Sequence, residues 1–370
     1  MRKAIKLVLF LLFFATTSLI ANDVYSSKGY TKSMKEHLIS AQEAVKLLGN
    51  KKVVFVSGDS HDTYESIGHI VGSVEMYAHH LHHSDITGKM QCTPLFMCPP
   101  EAEEFIGSKG ITNDTLVIAY DNFRGPNATG VWAFFKSFGH NNVKILNGGM
   151  DAMKAIDPNQ KIVDNAKERI KELKKLAKDN KTNATLIASY QKEEEQLKNK
   201  IETLEPKLYI QKGKEPKHEH VKYTIDTQKI DWDLIVAKEE VLKASLDIKE
   251  KGKASKYRII DTRAMAEIVG ENKLDNVARG GHVPGATFLE WTNITDFDNK
   301  LSFKKLEALQ KAFDKYGIKK DQEIYAYCHV GAGRSTEIIV ALRMLGYKNA
   351  KVYTGSWDEW GNDMNLPINR

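Results

Sequence analysis

The chain predicts an α/β protein made of two tandem copies of one unit, each a mainly parallel sheet flanked by helices. Three observations lead there. Residues 110–121 (GITNDTLVIAYD) match residues 317–328 (GIKKDQEIYAYC), and residues 138–149 (FGHNNVKILNGG) match 345–356 (LGYKNAKVYTGS), both at an offset of 207 positions. Gly68-His-Ile-Val-Gly-Ser73 is echoed in the same order by Gly281-His-Val-Pro-Gly-Ala286. Within each copy, short β-rich runs alternate with stretches of helical spacing.

The elements follow in order. The copies run over about 38–157 and 230–370. In the first, residues 53–56, 116–120 and 143–146 read as buried strands; in the second, 258–260, 323–327 and 350–353 do. Residues 129–138 and 335–345 have helical spacing and stop at Gly139 and Gly346, where glycine closes a helix cheaply. In parallel sheets ligands gather at the carboxyl ends of strands, where Asp121 and Cys328 fall. Residues 158–229 form a linking insertion. It is rich in Lys, Glu, Asn and Gln and carries no strand signal. Ala166, Ile170, Leu173 and Ala177 make one helical stripe, and Leu186, Tyr190, Leu197, Ile201 and Leu204 a second, with a turn-like 179–183 between them. This predicts an antiparallel helical hairpin, read either as a solvated spacer packed on its own chain or as a docking arm for a protein partner through residues 160–222.

Ahead of the first copy, Arg2, Lys3 and Lys6 precede an apolar run over residues 7–15 and small residues up to Ala21. Residues 1–21 read as a signal peptide, so the mature protein is expected in the periplasm, free of the membrane after cleavage. The composition, 42% hydrophobic and 28% charged, is that of a soluble globular protein. The net charge of +6 comes from the first segment and the insertion. The rest is slightly acidic, so nucleic acid is not an expected partner. There are three cysteines, Cys92, Cys98 and Cys328. In an oxidising compartment the odd count suggests one pair, Cys92 with Cys98, and one reactive thiol.

The chemistry concentrates at Cys328. It ends a buried strand and opens a loop, His329-Val330-Gly331-Ala332-Gly333-Arg334, that feeds a helix N-terminus. Unpaired N–H groups and the helix dipole favour a thiolate there. Gly331 and Gly333 let the loop curl into an anion nest, and Arg334 offers a fork of donors to an oxyanion.

Together with Ile260-Asp261-Thr262-Arg263 and Glu267, Arg279-Gly-Gly-His-Val-Pro-Gly-Ala286, and Gly355-Ser-Trp-Asp-Glu-Trp360, this loop resembles the tandem-domain rhodanese family of thiosulfate and mercaptopyruvate sulfurtransferases. The resemblance covers essentially all of the second copy and, more weakly, the first. It implies a silent first copy, with Asp121 in the place of Cys328, and one active site per chain. It implies double displacement through a Cys328 persulfide held by loop N–H groups from His329 to Gly333. The donor would be a small sulfur-containing anion and the acceptor cyanide, a thiol or a protein cysteine; no cofactor is required. Arg334, Arg263 and Arg279 would balance the anion, although Asp261 and Arg263 also read as a structural ion pair. His282 would brace the loop before Pro284, and Trp357 would support the site.

One departure stands out. Cys328-x5-Arg334 is one residue longer than the usual loop and resembles rhodanese-like phosphatases and arsenate reductases. Phosphoryl chemistry would need a general acid, for which Glu337 is the nearby carboxyl. Residues 79–98 hold His79, His80, His82, His83, Met90, Cys92, Met97 and Cys98. The plainer reading is a Cys92–Cys98 disulfide with histidines on the solvated surface; soft-ligand metal binding is the alternative, and no metal site is assigned. By resemblance, the loop would lie near the domain interface as a clasp over the active site.

Overall fold

The computed structural model describes residues 23–180 and 182–370; the predicted signal peptide lies outside them. The first copy contributes β1 (Leu38–Ile39), β2 (Val53–Ser57), β3 (His69–Ile70), β4 (Val74–Glu75), β5 (Leu116–Tyr120) and β6 (Val143–Leu146). Five of these form one sheet in the order β1-β6-β5-β2-β4, with every pairing parallel. Further along, β7 (Ile210–Gln211) precedes β8 (Ile235–Val236), β9 (Tyr257–Asp261), β10 (Thr287–Phe288), β11 (Glu323–Tyr327) and β12 (Ala350–Tyr353). The second sheet runs β10-β9-β11-β12-β8, again parallel throughout. The central strands β5 and β11 are buried along most of their length, as continuous Val, Ile, Ala and Tyr runs require when both faces are covered.

Two helices join the copies. Helix α1 (Pro126–Ser137) follows β5, and its counterpart (Arg334–Met344) follows β11; each is buried nearly all round, which only an interior helix can be. They pack on each other, so one apolar core runs through both copies, from Trp132 and Phe135 to Ile338 and Leu342. At their crossing the Thr336 hydroxyl donates to Thr129 Oγ1 at 3.0 Å. These two residues are related by the repeat offset of 207, so the crossing lies on the pseudo-twofold axis of the duplication. The approach is close because of Gly130: a Cβ there would come 3.0 Å from the Ala332 carbonyl carbon and from Ala78 Cβ.

The insertion is a helical hairpin of α2 (Gln160–Asp179) and α3 (Ala184–Leu204). Val163, Ala166 and Leu173 are buried on α2, whereas α3 buries none of its residues, and Leu186 of the predicted stripe is exposed. Cross-hairpin ion pairs supplement the thin seam, with Arg169 Nε 2.8 Å from Glu193 Oε1. The base is fixed where the Asp157 carboxylate accepts from the N–H groups of Tyr209 (2.7 Å) and Asn159 (2.8 Å).

Beyond the hairpin the sequence reading needs correcting. Residues 205–225 are not part of a free arm. Here β7, unpredicted because it is only two residues long, pairs antiparallel with β3. Glu215 then accepts from Lys109 Nζ at 2.8 Å, and Val221 N–H donates to Gly107 O at 3.0 Å. These residues strap the first copy, which confines any arm to 160–204. Deleting 160–204 with a short turn in its place is therefore expected to leave Tm within error of the full chain. Deleting 160–222 removes β7 and its strap and is expected to lower Tm markedly in a thermal melt.

Candidate active site

Cys328 follows the last residue of β11 and is 2% exposed. Its N–H donates to Ser356 Oγ at 3.1 Å, and its carbonyl accepts from Trp357 N–H at 3.1 Å. The loop is thereby pinned to the next turn of the sheet, where helix α5 (Ser356–Asn362) begins; the counterpart of α1 is α4 (Arg334–Met344). Ser335 Oγ, on the first turn of α4, lies 3.4 Å from Cys328 Sγ and 2.8 Å from Gly331 O. Gly331 has φ +78°, and a Cβ there would sit 2.2 Å from Thr354 O, so only glycine fits.

The predicted persulfide cradle is narrower than expected. Ala332 N–H donates to Val330 O (2.9 Å) and Gly333 N–H to Thr336 Oγ1 (3.2 Å), which removes both from the set. Of the predicted set, the N–H groups of His329, Val330 and Gly331 are left without protein acceptors. His329 is buried, and burial pushes its imidazole down to about 4 despite the nearby Asp358, so it is neutral at pH 7 and brings no positive charge.

The predicted arginines separate into distinct roles. Burial works against the Arg334 charge, but its bond to Glu267 and the field of Cys328 raise it above its ordinary value. Its fork, expected to meet an oxyanion, is closed on Glu267, with Nη1 at 2.5 Å and Nη2 at 3.0 Å from the two carboxylate oxygens. Burial would raise the Glu267 carboxyl; the Arg334 bond outweighs it and holds the group below its usual range.

Arg263 is 2% exposed and committed through Nε and Nη2. Its Nε and Nη2 donate to the two Asp261 oxygens at 3.0 and 2.7 Å, and Nη2 also donates to Gly281 O. Its guanidinium lies 4.5 Å from the Trp357 ring. Of its two readings, the structural ion pair is the one formed.

Arg279 corrects its assignment outright. It donates to the carbonyls of Gly361, Trp360, Leu366 and Asp363, tying the C-terminal segment to α5, so it is not an anion binder. Trp357 Nε1 donates to Arg279 O at 3.0 Å, and His282 Nδ1 lies 2.9 Å from Ile268 O while its ring edges Phe288.

In the first copy Asp121 occupies the corresponding place, and its carboxyl accepts from the N–H groups of Gly125 (3.0 Å), Asn127 (3.2 Å) and Ala128 (3.3 Å). A tethered carboxyl thus fills the nest at the start of α1. Glu337 of the second copy also reaches this place. It is wholly buried, accepts from Thr295 Oγ1 at 3.2 Å, and would lie 2.7 Å from a Cβ on Gly125. Glu337 therefore faces the nest of the first copy and not Cys328, which removes it as a general acid.

Burial raises the carboxyls of Asp59, Asp121 and Glu337, and mutual repulsion raises Asp121 and Glu337 further. A carboxyl raised on folding supports the fold below its unfolded pKa, and that support is lost as pH rises toward the folded value. Glu337→Gln is accordingly expected to raise Tm at pH 8 and to leave it nearly unchanged at pH 4.5, measured by thermal melts across that range.

The loop 79–98 lies against this site. Cys92 and Cys98 are joined in a disulfide. Thr354 Oγ1 donates to Pro94 O at 2.8 Å, so the bridged loop leans on the segment that flanks Gly331. The histidines were expected on the surface, and His82 is a correction. It is buried, with Nδ1 3.0 Å from Thr354 O and Nε2 3.0 Å from Asp358 Oδ2. Ser84 and Asn276 complete the shell around the Asp358 carboxylate. Nothing local in the sequence marks His82, because both partners lie in the other copy. Ser335 and Asp358 were legible only as neighbours of the Cys328 loop and of Trp357. Among the described residues no group of three or more His, Cys, Asp or Glu is placed to hold a metal ion.

These features define a duplicated α/β protein whose second copy carries Cys328 at the end of its central strand, with a disulfide-bridged loop of the first copy leaning on the segment beside it. The chain belongs to the rhodanese-like domain family, whose sequence profile matches residues 40–156 and again 244–363. It is 26% identical over 279 residues to the sulfur carrier protein TtuD of Thermus thermophilus, covering 74% of this chain and 77% of that protein. It is 25% identical over 344 residues to a Saccharopolyspora erythraea protein named "Putative thiosulfate sulfurtransferase", covering 91% of this chain and 97% of that protein. These relatives place it in a sulfur-transfer family. Among solved structures, the anaerobic ergothioneine biosynthesis enzyme of Chlorobium limicola, in complex with trimethyl histidine, matches with a TM-score of 0.61 at 18% identity. That match covers 91% of this chain and 70% of the other, a likeness of fold.

Proposed function

We propose that the protein is an exported sulfurtransferase, moving a sulfane sulfur from thiosulfate or a similar small anion to a thiophilic acceptor through Cys328. The observation that carries this reading is the setting of the thiol. The one cysteine outside the disulfide stands at the end of a central strand, with Ser335 Oγ 3.4 Å from its sulfur. Three loop N–H groups beside it are left for an anion. In the first half-reaction the thiolate attacks the outer sulfur of the donor, the donor S–S bond breaks, and sulfite leaves with the electron pair. The outer sulfur stays on Cys328 as a persulfide. Cyanide, a thiol or a partner protein's cysteine then removes it. The sulfur carrier among its relatives supports hand-over to a protein acceptor. The apolar leader over residues 7–15 and the Cys92–Cys98 disulfide support a periplasmic location, where disulfides persist.

The test is intact mass of the protein after incubation with thiosulfate. A gain of about 32 Da that cyanide removes establishes the persulfide. A reactive thiol that takes no sulfur from thiosulfate, mercaptopyruvate or polysulfide overturns the reading and turns attention to phosphate or arsenate, which the longer loop would also suit.

A further inference from the structure

The silent copy delivers a second ionisable group to the catalytic loop. The turn Ala78–His80 is seated there by Ala78, which is fully buried against Gly130 at the point where Gly130 meets Ala332. Its backbone is held by Ala78 N–H donating to Gly58 O at 3.0 Å and His80 N–H to Tyr77 O at 2.8 Å. From this fixed turn His79 comes up to the loop at Gly333. Its Nε2 is the atom nearest to where a side chain on Gly333 would begin, 4.0 Å from that Cβ position. Its other nitrogen is engaged: Nδ1 lies 3.2 Å from the Tyr77 hydroxyl, with the two rings stacked at 5.0 Å. When Nδ1 carries the proton and donates to the Tyr77 oxygen, Nε2 is left as a free base aimed at the loop.

We propose that His79 is the general base for the acceptor half-reaction, taking the proton of an incoming thiol as its sulfur attacks the Cys328 persulfide. This rests on the sulfurtransferase reading and extends it to the second substrate. In the step, the thiol S–H proton passes to His79 Nε2 and the thiol sulfur bonds to the outer persulfide sulfur. The persulfide S–S bond then breaks, its electron pair returns to Cys328 as thiolate, and the acceptor leaves as a persulfide. His79 loses its proton to solvent.

The surroundings suit a base. Arg334 faces His79 from the start of α4, with Glu267 behind it, and His80 and His82 lie on its own loop; Asp59 lies near Tyr77. Desolvation and the Arg334 charge, with His80 and His82, push the His79 imidazole below its ordinary value, although the residue keeps an exposed surface. Sulfite is already an anion at pH 7 and needs no such help, so it serves as the control acceptor.

The experiment separates the two half-reactions in His79→Ala and His79→Gln, made in the full chain. Persulfide loading from thiosulfate is followed by intact mass, and discharge is followed by stopped-flow with glutathione or with sulfite. Loading and discharge to sulfite are expected to match wild type. Discharge to glutathione at pH 7 is expected to fall about a hundredfold or more in both variants, the range a positioned base supplies. The gap is expected to close by about pH 9.5, where a thiol ionises unaided. Equal discharge to glutathione at pH 7, or a loss that is the same for both acceptors and at both pH values, overturns the proposal while leaving the sulfurtransferase reading standing. A wild-type protein that never loads overturns both.

Discussion

Cys328→Ser is expected to take up no sulfur at all: the adduct of about 32 Da seen with wild type is absent, and cyanide-dependent thiocyanate formation falls to background. The size of this effect follows from the duplication. The equivalent position in the first copy is Asp121, a carboxylate already held by three backbone N–H groups, so nothing in that half can stand in. Serine nearly matches cysteine in volume and keeps the Ser356 and Trp357 backbone contacts, so the variant should melt at the wild-type temperature. Paired mass and melting measurements thus separate lost chemistry from lost fold. A Cys328→Ser protein that still forms a cyanide-labile adduct would move the reaction elsewhere in the chain.

The second large effect is on stability. Asp261→Ala is expected to cost about 3–5 kcal/mol, the usual result of breaking a buried ion pair by removing one partner. Arg263 would keep its charge in an interior where it is 2% exposed, with Gly281 O as its remaining hydrogen-bond acceptor. Tyr327, whose hydroxyl donates to Asp261 Oδ2 at 2.5 Å, would lose that acceptor as well. The pair sits one strand from Cys328, since β9 and β11 are adjacent with Asp261 opposite Tyr327. Urea unfolding measures the loss. A change under about 1 kcal/mol would mean that water reaches the pair and solvates it.

Much of the fold was legible because it depends on local signals repeated twice. The runs at 116–120, 143–146, 323–327 and 350–353 are strands with the predicted limits, because each is a short, mostly apolar and β-prone stretch interrupted at most by one charged residue. Cys328 was legible for the same reason: strand, loop and helix start are contiguous. What escaped was whatever required knowing which surfaces meet. Arg279 and Arg334 are equally plausible anion binders in sequence, yet one closes on backbone carbonyls and the other on Glu267. His82 finds its partners 272 and 276 positions away. Glu337, one turn into the catalytic helix, turns toward the silent copy because the helix is buried on that face too.

The contact between Thr129 and Thr336 has a further consequence. Two equivalent residues touching on an axis is how identical subunits of a twofold dimer meet. A dimer of that kind exists only above its dissociation constant, and dilution separates its halves. Carried in one chain, the same contact becomes intramolecular, and its formation no longer depends on how much protein is present. Since the loop bearing His79 and His82 comes from one half and Cys328 from the other, the site stays assembled in a dilute compartment where two separate subunits would drift apart.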